Sequence, residues 1–223
     1  MPLEIIESGD GSHSLYHTEL DETYHSRHGS IQEALHVFLK SGLDELASLK
    51  EVRIFEMGFG TGLNALLTAR EAPKRDQQIT YFGLERYPVE ESIWQKLNYT
   101  EQLEEPELSS VFENLHQSSW EQPERINSHF ILQKMEGDIR SISLPEPGHL
   151  IYFDAFGPRV QPELWDATVF ERLLDWLLPG GILVTYSCKG DVKRALKQVG
   201  FEVEKIPGPP GKREMLRARK PQN

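Results

Sequence analysis

A chain of 223 residues suits one domain of ordinary size, and its 38% apolar residues, with four Trp, seven Tyr and ten Phe, exclude long disorder. One cysteine, Cys188, excludes a disulfide framework and a cysteine-rich zinc site, and the net charge of −11 excludes a surface that binds nucleic acid indiscriminately. No apolar run nears the roughly 18–20 residues of a bilayer crossing, and Met1–Glu7 is no basic-then-apolar leader, so a soluble cytoplasmic protein with no membrane contact is expected.

Residues 1–29 are polar, contain His13, His17, His25 and His28, and read as an extension with little regular structure. The histidine pairs spaced i,i+4 and i,i+3 lack a helical pattern around them, so no metal site is expected. From Ser30, apolar residues at 31, 34, 35, 38 and 39 have helical spacing up to Gly42. Val52–Glu56 is a strand, followed by a glycine-rich turn and a helix over about 62–71. Ile79–Leu84 is a second strand. Val89, Ile93, Trp94 and Leu97 share one face of a helix after Pro88. The acidic stretch 100–125, broken by Pro106 and Pro123, reads as helix plus loop. His129–Gln133 and His149–Phe153 are the third and fourth strands. A long helix starts near Pro162, where proline is tolerated in the first turn, and Pro179-Gly180-Gly181 ends it. Ile182–Tyr186 is a fifth strand, Asp191–Val199 a helix, and Phe201–Ile206 and Arg213–Arg219 the last two strands.

Strands alternating with helices imply a mostly parallel sheet with right-handed crossovers, and the short turn between the last two strands makes them antiparallel. The expected fold is α/β and Rossmann-like: a seven-stranded, mostly parallel sheet with a C-terminal antiparallel hairpin. That is the architecture of class I methyltransferases that use S-adenosylmethionine; a plain dinucleotide-binding domain lacks the hairpin. On this reading residues 46–223 form the methyltransferase domain, and residues 1–45 are an extension and helix that pack over its cofactor site.

Open α/β sheets bind ligands at the carboxyl ends of their strands. The first strand ends in Phe55-Glu56-Met57-Gly58-Phe59-Gly60-Thr61-Gly62-Leu63-Asn64. Glycines at 58, 60 and 62 allow a sharp turn and close approach of a ligand. In the dinucleotide fingerprint the third glycine lies three residues after the second, where this chain has Leu63. Glu56 beside the turn suits a cationic amino-acid cofactor better than a pyrophosphate. Glu85 ends the second strand, where an acid accepts hydrogen bonds from ribose hydroxyls. Asp138 is placed to accept from an adenine amino group with Ile139 against the ring, although Gly137-Asp138 also reads as an ordinary turn.

The fourth strand runs into Asp154-Ala155-Phe156-Gly157-Pro158. A carboxylate there costs desolvation unless it is paired or used. An amine attacking a methyl group needs its lone pair aimed, and oxygens accepting its N–H bonds supply that aim. A carboxylate also takes the proton that an ammonium must lose. The plain alternative is a carboxylate that only caps the following turn. Cys188 is expected to be a small packed residue, since no His–Asp pair accompanies it. Tyr16, Tyr24 and Trp165 suit stacking on a base or the cofactor, or a place in the core.

With Pro162-Glu163-Leu164-Trp165, Pro179–Lys189, Pro207–Leu216 and the run Ser14–Phe38, these stretches resemble the methyltransferase half of the bifunctional tRNA 5-methylaminomethyl-2-thiouridine biosynthesis (MnmC) family over nearly the whole chain. That family uses S-adenosylmethionine to methylate the aminomethyl group on the wobble uridine of certain tRNAs. The resemblance implies that Glu56, Gly58, Gly60, Gly62, Asn64 and Glu85 hold the cofactor, with Asp138 and Ile139 at its base. It implies that Tyr24, Ser26, Gly29 and Glu33 close over the methionine end, and that Asp154 is the catalytic residue facing the amine. Phe156, Pro158, Trp165, Lys189, Lys212 and Arg213 are the substrate-binding candidates. Bifunctional members carry a flavin-dependent oxidase domain after this half. The sequence stops at Asn223, so a stand-alone form is expected, its aminomethyl substrate supplied by a separate oxidase or by the enzymes that aminomethylate the wobble uridine.

Charge is uneven along the chain. Tyr186–Asn223 holds ten Lys/Arg against four Asp/Glu, and the other 185 residues hold 14 against 31. An acidic body is at odds with a tRNA enzyme. The basic edge formed by Lys189, Lys193, Arg194, Lys197, Lys212, Arg213 and Arg217 is expected to meet the tRNA backbone near the anticodon. Three rivals remain: a methyltransferase with a small-molecule or protein amine substrate, a non-catalytic cofactor- or RNA-binding module, and an aminopropyltransferase, which shares the fold.

Overall fold

The computed structural model describes residues 2–222; Met1 and Asn223, the outer ends of the two expected domains, lie outside the described residues. The N-terminal segment is more regular than its sequence suggests. Strands β1 (Leu3–Glu7), β2 (His13–His17) and β3 (Glu22–Thr23) form a three-stranded antiparallel sheet. Its strands are short and half polar, which hides the alternation: Ser14, Leu15 and His17 are buried while His13 and Tyr16 are partly exposed. Asp10 ties this sheet to the next helix. Its Oδ1 accepts from Ser12 N–H at 3.1 Å and its Oδ2 from Gln32 N–H at 3.0 Å, satisfying a donor of the first helical turn. That helix, α1 (Ser30–Ala34), continues as a wider π-type turn over Leu35–Lys40.

The main sheet is built from β4 (Glu51–Met57), β5 (Gln78–Glu85), β6 (Pro123–Asn127), β7 (Phe130–Glu136), β8 (Gly148–Phe153), β9 (Leu177–Thr185), β10 (Glu202–Pro207) and β11 (Glu214–Arg219). It holds eight strands where seven were expected, in the order β10-β11-β9-β8-β4-β5-β7-β6. The five central strands are parallel, and the C-terminal hairpin runs antiparallel to β9. The additional strand, β6, pairs antiparallel with β7 at the opposite edge. Its leading proline is tolerated at an edge and reads as loop in the sequence. Winding reverses between β4 and β8, so the crevice at their carboxyl ends is the topological switch point.

Side chains alternate across the sheet. Ile54, Tyr81 and Tyr152 pack under α1, α2 (Leu63–Lys74) and, beyond the short helices α3 (Glu91–Trp94) and α4 (Tyr99–Gln102), α5 (Leu108–Gln117). Phe55, Phe82 and Phe153 face the opposite layer, α6 (Ala167–Trp176) and α7 (Gly190–Gln198). Each fully buried Phe contributes about 1.5–3 kcal/mol. Leu15, Ile31 and Phe38 of the N-terminal region share the first of these layers with Ile54 and Leu66.

Two boundaries differ from the sequence reading. Pro162–Leu164 is a single tight turn, and α6 starts at Ala167, where Asp166 Oδ1 accepts from Val169 N–H at 2.9 Å; the carboxylate cap, rather than the proline, sets the start. Pro179–Gly181 does not end that helix. It stops at Trp176, and the proline and glycines bulge from β9, where Leu177 pairs with Gly148 and Ile182 with Leu150. Among the described residues no helix is long and apolar enough to cross a membrane.

Candidate active site

A cavity of about 370 Å³ opens at the switch point, within the roughly 300–1,000 Å³ of small-molecule sites. Its floor is the turn after β4. Gly58 has φ +92°, and a Cβ there would lie 2.6 Å from the carbonyl oxygen of Asp154. Glycine is what lets the tips of β4 and β8 meet, and Asp154 N–H donates to Met57 O at 2.9 Å. Gly60 donates its N–H to Glu85 Oε2 at 2.9 Å, joining the turn to the tip of β5. Glu85 Oε1 accepts from the N–H groups of Arg86 and Tyr87, at 2.9 Å each. Burial raises the Glu85 carboxyl above its ordinary range, and the three N–H groups oppose that rise. Gly62 begins α2 beneath the turn, against His116.

Glu56, Asn64 and Asp154 form a connected buried group. The Asn64 Nδ2 donates to Glu56 Oε1 at 2.9 Å and to Asp154 Oδ2 at 2.8 Å. Glu56 is fully buried, and its Oε2 has no partner among the described residues. Burial pushes the Glu56 carboxyl well above the usual range; Asn64 opposes this and the nearby Asp154 adds to it. Asp154 lines the cavity, where burial and then the Glu33 carboxylate push it up to about 7, against the Asn64 bond.

Asp138 and Ile139 line the same cavity. Both oxygens of Asp138 accept from guanidinium groups: Arg140 Nε on Oδ1 at 2.9 Å, Arg140 Nη2 on Oδ2 at 2.6 Å, and Arg86 Nη1 on Oδ2 at 2.9 Å. The Arg140 bonds hold the Asp138 carboxyl at about 2. Sequence reasoning missed this clamp, although the Asp-x-Arg spacing contains it.

The N-terminal sheet supplies one wall of the cavity through His17, Leu20, Tyr24 and His25. Of these the sequence offered Tyr24 as a site residue and His17 and His25 only as members of histidine pairs, because the segment is polar and its strands are short. Burial lowers His25 to about 4, so its imidazole is neutral near pH 7. Tyr24 meets Phe156 edge to face with ring centroids 5.0 Å apart, and both line the cavity. Arg159 fastens the wall from outside: Nη2 donates to Asp21 O at 2.8 Å and to Glu22 Oε2 at 3.2 Å.

Glu56, Gly62 and the remaining candidates stand outside the lining. Glu33, buried on α1, accepts from Ser26 N–H at 2.7 Å and from Lys212 Nζ at 2.8 Å. The Lys212 ammonium lies 4.1 Å from the centroid of the Tyr186 ring. A side chain at Gly29 would collide with Asp10. Trp165 is buried and donates its indole N–H to Phe156 O at 2.8 Å, supporting the turn that includes Pro158. Tyr16 donates to Asp21 Oδ1 at 2.9 Å. Lys189 and Arg213 are exposed. Cys188 is exposed, not packed as expected; it follows the tip of β9, just past the buried strand.

A family model described as S-adenosyl-L-methionine-dependent methyltransferase matches residues 98–221, more than half of the chain. The tRNA 5-methylaminomethyl-2-thiouridine biosynthesis bifunctional protein MnmC of Cupriavidus metallidurans is 33% identical, over 98% of this chain and 34% of its own length. Its namesake in Aromatoleum aromaticum is 35% identical, over 89% and 32%. The chain therefore spans about a third of the length of the curated relatives it matches. Among solved structures, MNMC2 from Aquifex aeolicus shares the fold with a TM-score of 0.80, over 99% of this chain and 70% of that one, at 24% identity. S-adenosylmethionine-bound CalS10, an amino pentose methyltransferase from Micromonospora echinaspora, shares it with a TM-score of 0.52 at 13% identity, over 87% and 93%. The site's own chemistry fits such a donor. Glu85 and Asp154 line the cavity around a glycine cradle that a side chain would fill, with Glu56 buried behind Asn64, which suits a ligand bearing positive charge. The chain belongs to the family of S-adenosyl-L-methionine-dependent methyltransferases, and S-adenosylmethionine is its methyl donor.

Proposed function

We propose that the chain methylates the nitrogen of a 5-aminomethyl group on the wobble uridine of tRNA. One observation carries this reading: Asp154 sits at the tip of β8 on the cavity wall, with Oδ2 tied back to Asn64. Bound S-adenosylmethionine supplies a methyl carbon made electrophilic by its sulfonium. The Asp154 carboxylate accepts an N–H of the incoming amine and steers its lone pair. As the nitrogen–carbon bond forms and the carbon–sulfur bond breaks, the proton on nitrogen passes to Asp154 and on to solvent. A carboxyl held near 7 is a stronger base than an exposed aspartate and is still ionised in large part at neutral pH.

On the same reading Glu85 takes the ribose, Ile139 the adenine, and the turn 58–62 the methionyl part of the donor. Residues 1–45 wall the site in, and 46–223 carry the sheet. The tRNA assignment is supported by the names of the MnmC relatives and by the basic edge. Lys189 just before α7, Lys197 on α7, and Arg213 in the β10–β11 turn are exposed and suit contact with phosphates. Bulk tRNA from cells lacking the gene, treated with purified protein and methyl-labelled donor, should gain label in one nucleoside. Mass spectrometry should identify it as 5-methylaminomethyl uridine or its 2-thio form. Label appearing only in proteins or low-mass amines would overturn the assignment.

A further inference from the structure

Asn64 is the second residue of α2 and an uncharged side chain held between two carboxylates. We propose that it is a positioning residue for the amine: by tying Asp154 Oδ2 back to Glu56, it presents Asp154 Oδ1 to the nucleophile. This rests on the role assigned above to Asp154.

Four observations support it. The amide donates both ways: Nδ2 bonds Glu56 Oε1 at 2.9 Å and Asp154 Oδ2 at 2.8 Å, and once Asp154 is ionised its carboxylate can only accept, so a reversed amide would set oxygen against oxygen there. Its anchor is rigid, since Glu56 is fully buried in β4 and Thr68 Oγ1 bonds Asn64 O at 2.7 Å within the first turns of α2. Only Oδ2 of Asp154 is engaged; among the described residues its side chain makes no other hydrogen bond, although the residue lines the cavity. The cavity also contains its own contrast. Asp138, tied by two guanidinium groups, is kept ionised and is a weak base, whereas Asp154, tied by a neutral amide, is oriented and remains basic. A lysine or arginine at position 64 would orient Asp154 too, but at the expense of its basicity.

The test combines Asn64→Ala and Asp154→Ala in a double-mutant cycle, with Asn64→Ser as a second, smaller disturbance and thermal melting to verify the fold. Asn64→Ala should lower kcat by about 10- to 100-fold, leave the calorimetric Kd for S-adenosylmethionine unchanged, and move the acid limb of the pH profile upward, because a bond that favours the carboxylate is gone. In the Asp154→Ala background it should cost nothing further. Carboxyl NMR of the ligand-free protein should show the Asp154 midpoint rising in both Asn64 variants, whatever the substrate. A Kd that weakens in step with kcat would make Asn64 a cofactor ligand and overturn the inference. Losses that multiply in the double variant would overturn it too, with the function reading intact. Full turnover in Asp154→Ala alone would bring down the reading beneath it, and this inference with it.

Discussion

Asp154 is costly to the fold and useful to the reaction for the same reason, its burial. Its ordinary value is 3.8 and the folded value about 7. Between those values the native state keeps a proton that the unfolded chain releases. Its favourable contribution is therefore complete at low pH and is lost as pH rises through about 7. Asp154→Asn should melt higher than the parent at pH 8, by about 2–4 °C per kcal/mol recovered, with the difference fading towards pH 4. In the same variant, methylation should fall by about 10²–10⁴-fold while donor affinity by calorimetry is retained. In the parent, kcat/KM should climb as pH passes through about 7, since that ratio reports the free enzyme's base. A flat profile between pH 6 and 8 would remove Asp154 from proton transfer.

At the level of elements, the turn after β4 is the most constrained. Gly58→Ala puts a Cβ where the Asp154 carbonyl stands and keeps φ at +92°. The expected result is a stability loss of about 1–3 kcal/mol together with weakened donor binding, read by denaturant melts and calorimetry. The central strands were readable because β4, β5, β8 and β9 are buried on both faces and so appear as apolar runs. The glycines at 58, 60 and 62 and the acids closing β4, β5 and β8 stand beside those runs; the structure sets Gly58, Gly60, Glu85 and Asp154 on one crevice and buries Glu56 behind Asn64. What the sequence hid was set by partners distant along the chain. Strands β1–β3 set only a few apolar side chains, Leu15 foremost, against the core and are joined to α1 by Ser and Asp contacts. The exposed edge β6 pairs through its backbone, which leaves no apolar signature. The second arginine on Asp138 is Arg86, 52 positions away, although the first, Arg140, stands two residues off in the sequence.

Over the whole molecule, charge divides the labour between recognition and chemistry. The net charge of −11 disfavours general binding to nucleic acid, so contact with tRNA has to be local. Lys212 is engaged with Glu33, Arg217 with Glu45 and Glu204, and Arg194 with Asp191, and Lys193 is half-buried, which leaves Lys189, Lys197 and Arg213 as exposed cations of the basic edge. Replacing Lys189 and Lys197 by Glu should weaken tRNA binding and flatten log K against log salt by about 0.7–0.9 per lost phosphate contact, with donor affinity unaltered. Filter binding at several salt concentrations would show it, and an unchanged slope would place the tRNA elsewhere. Lys212→Met should act differently, loosening the join between α1 and the C-terminal hairpin and lowering the melting temperature.

Pro2 and Gln222, the outermost described residues, lie towards opposite ends of the parallel strands. Pro2 borders the cavity, whereas Gln222 rests against Gly180 at the start of β9, far from the strand tips. A purification handle or fluorescent reporter spliced ahead of Pro2 would hang across the doorway and blunt turnover, while the same appendage placed beyond Gln222 would trail behind and leave the doorway clear.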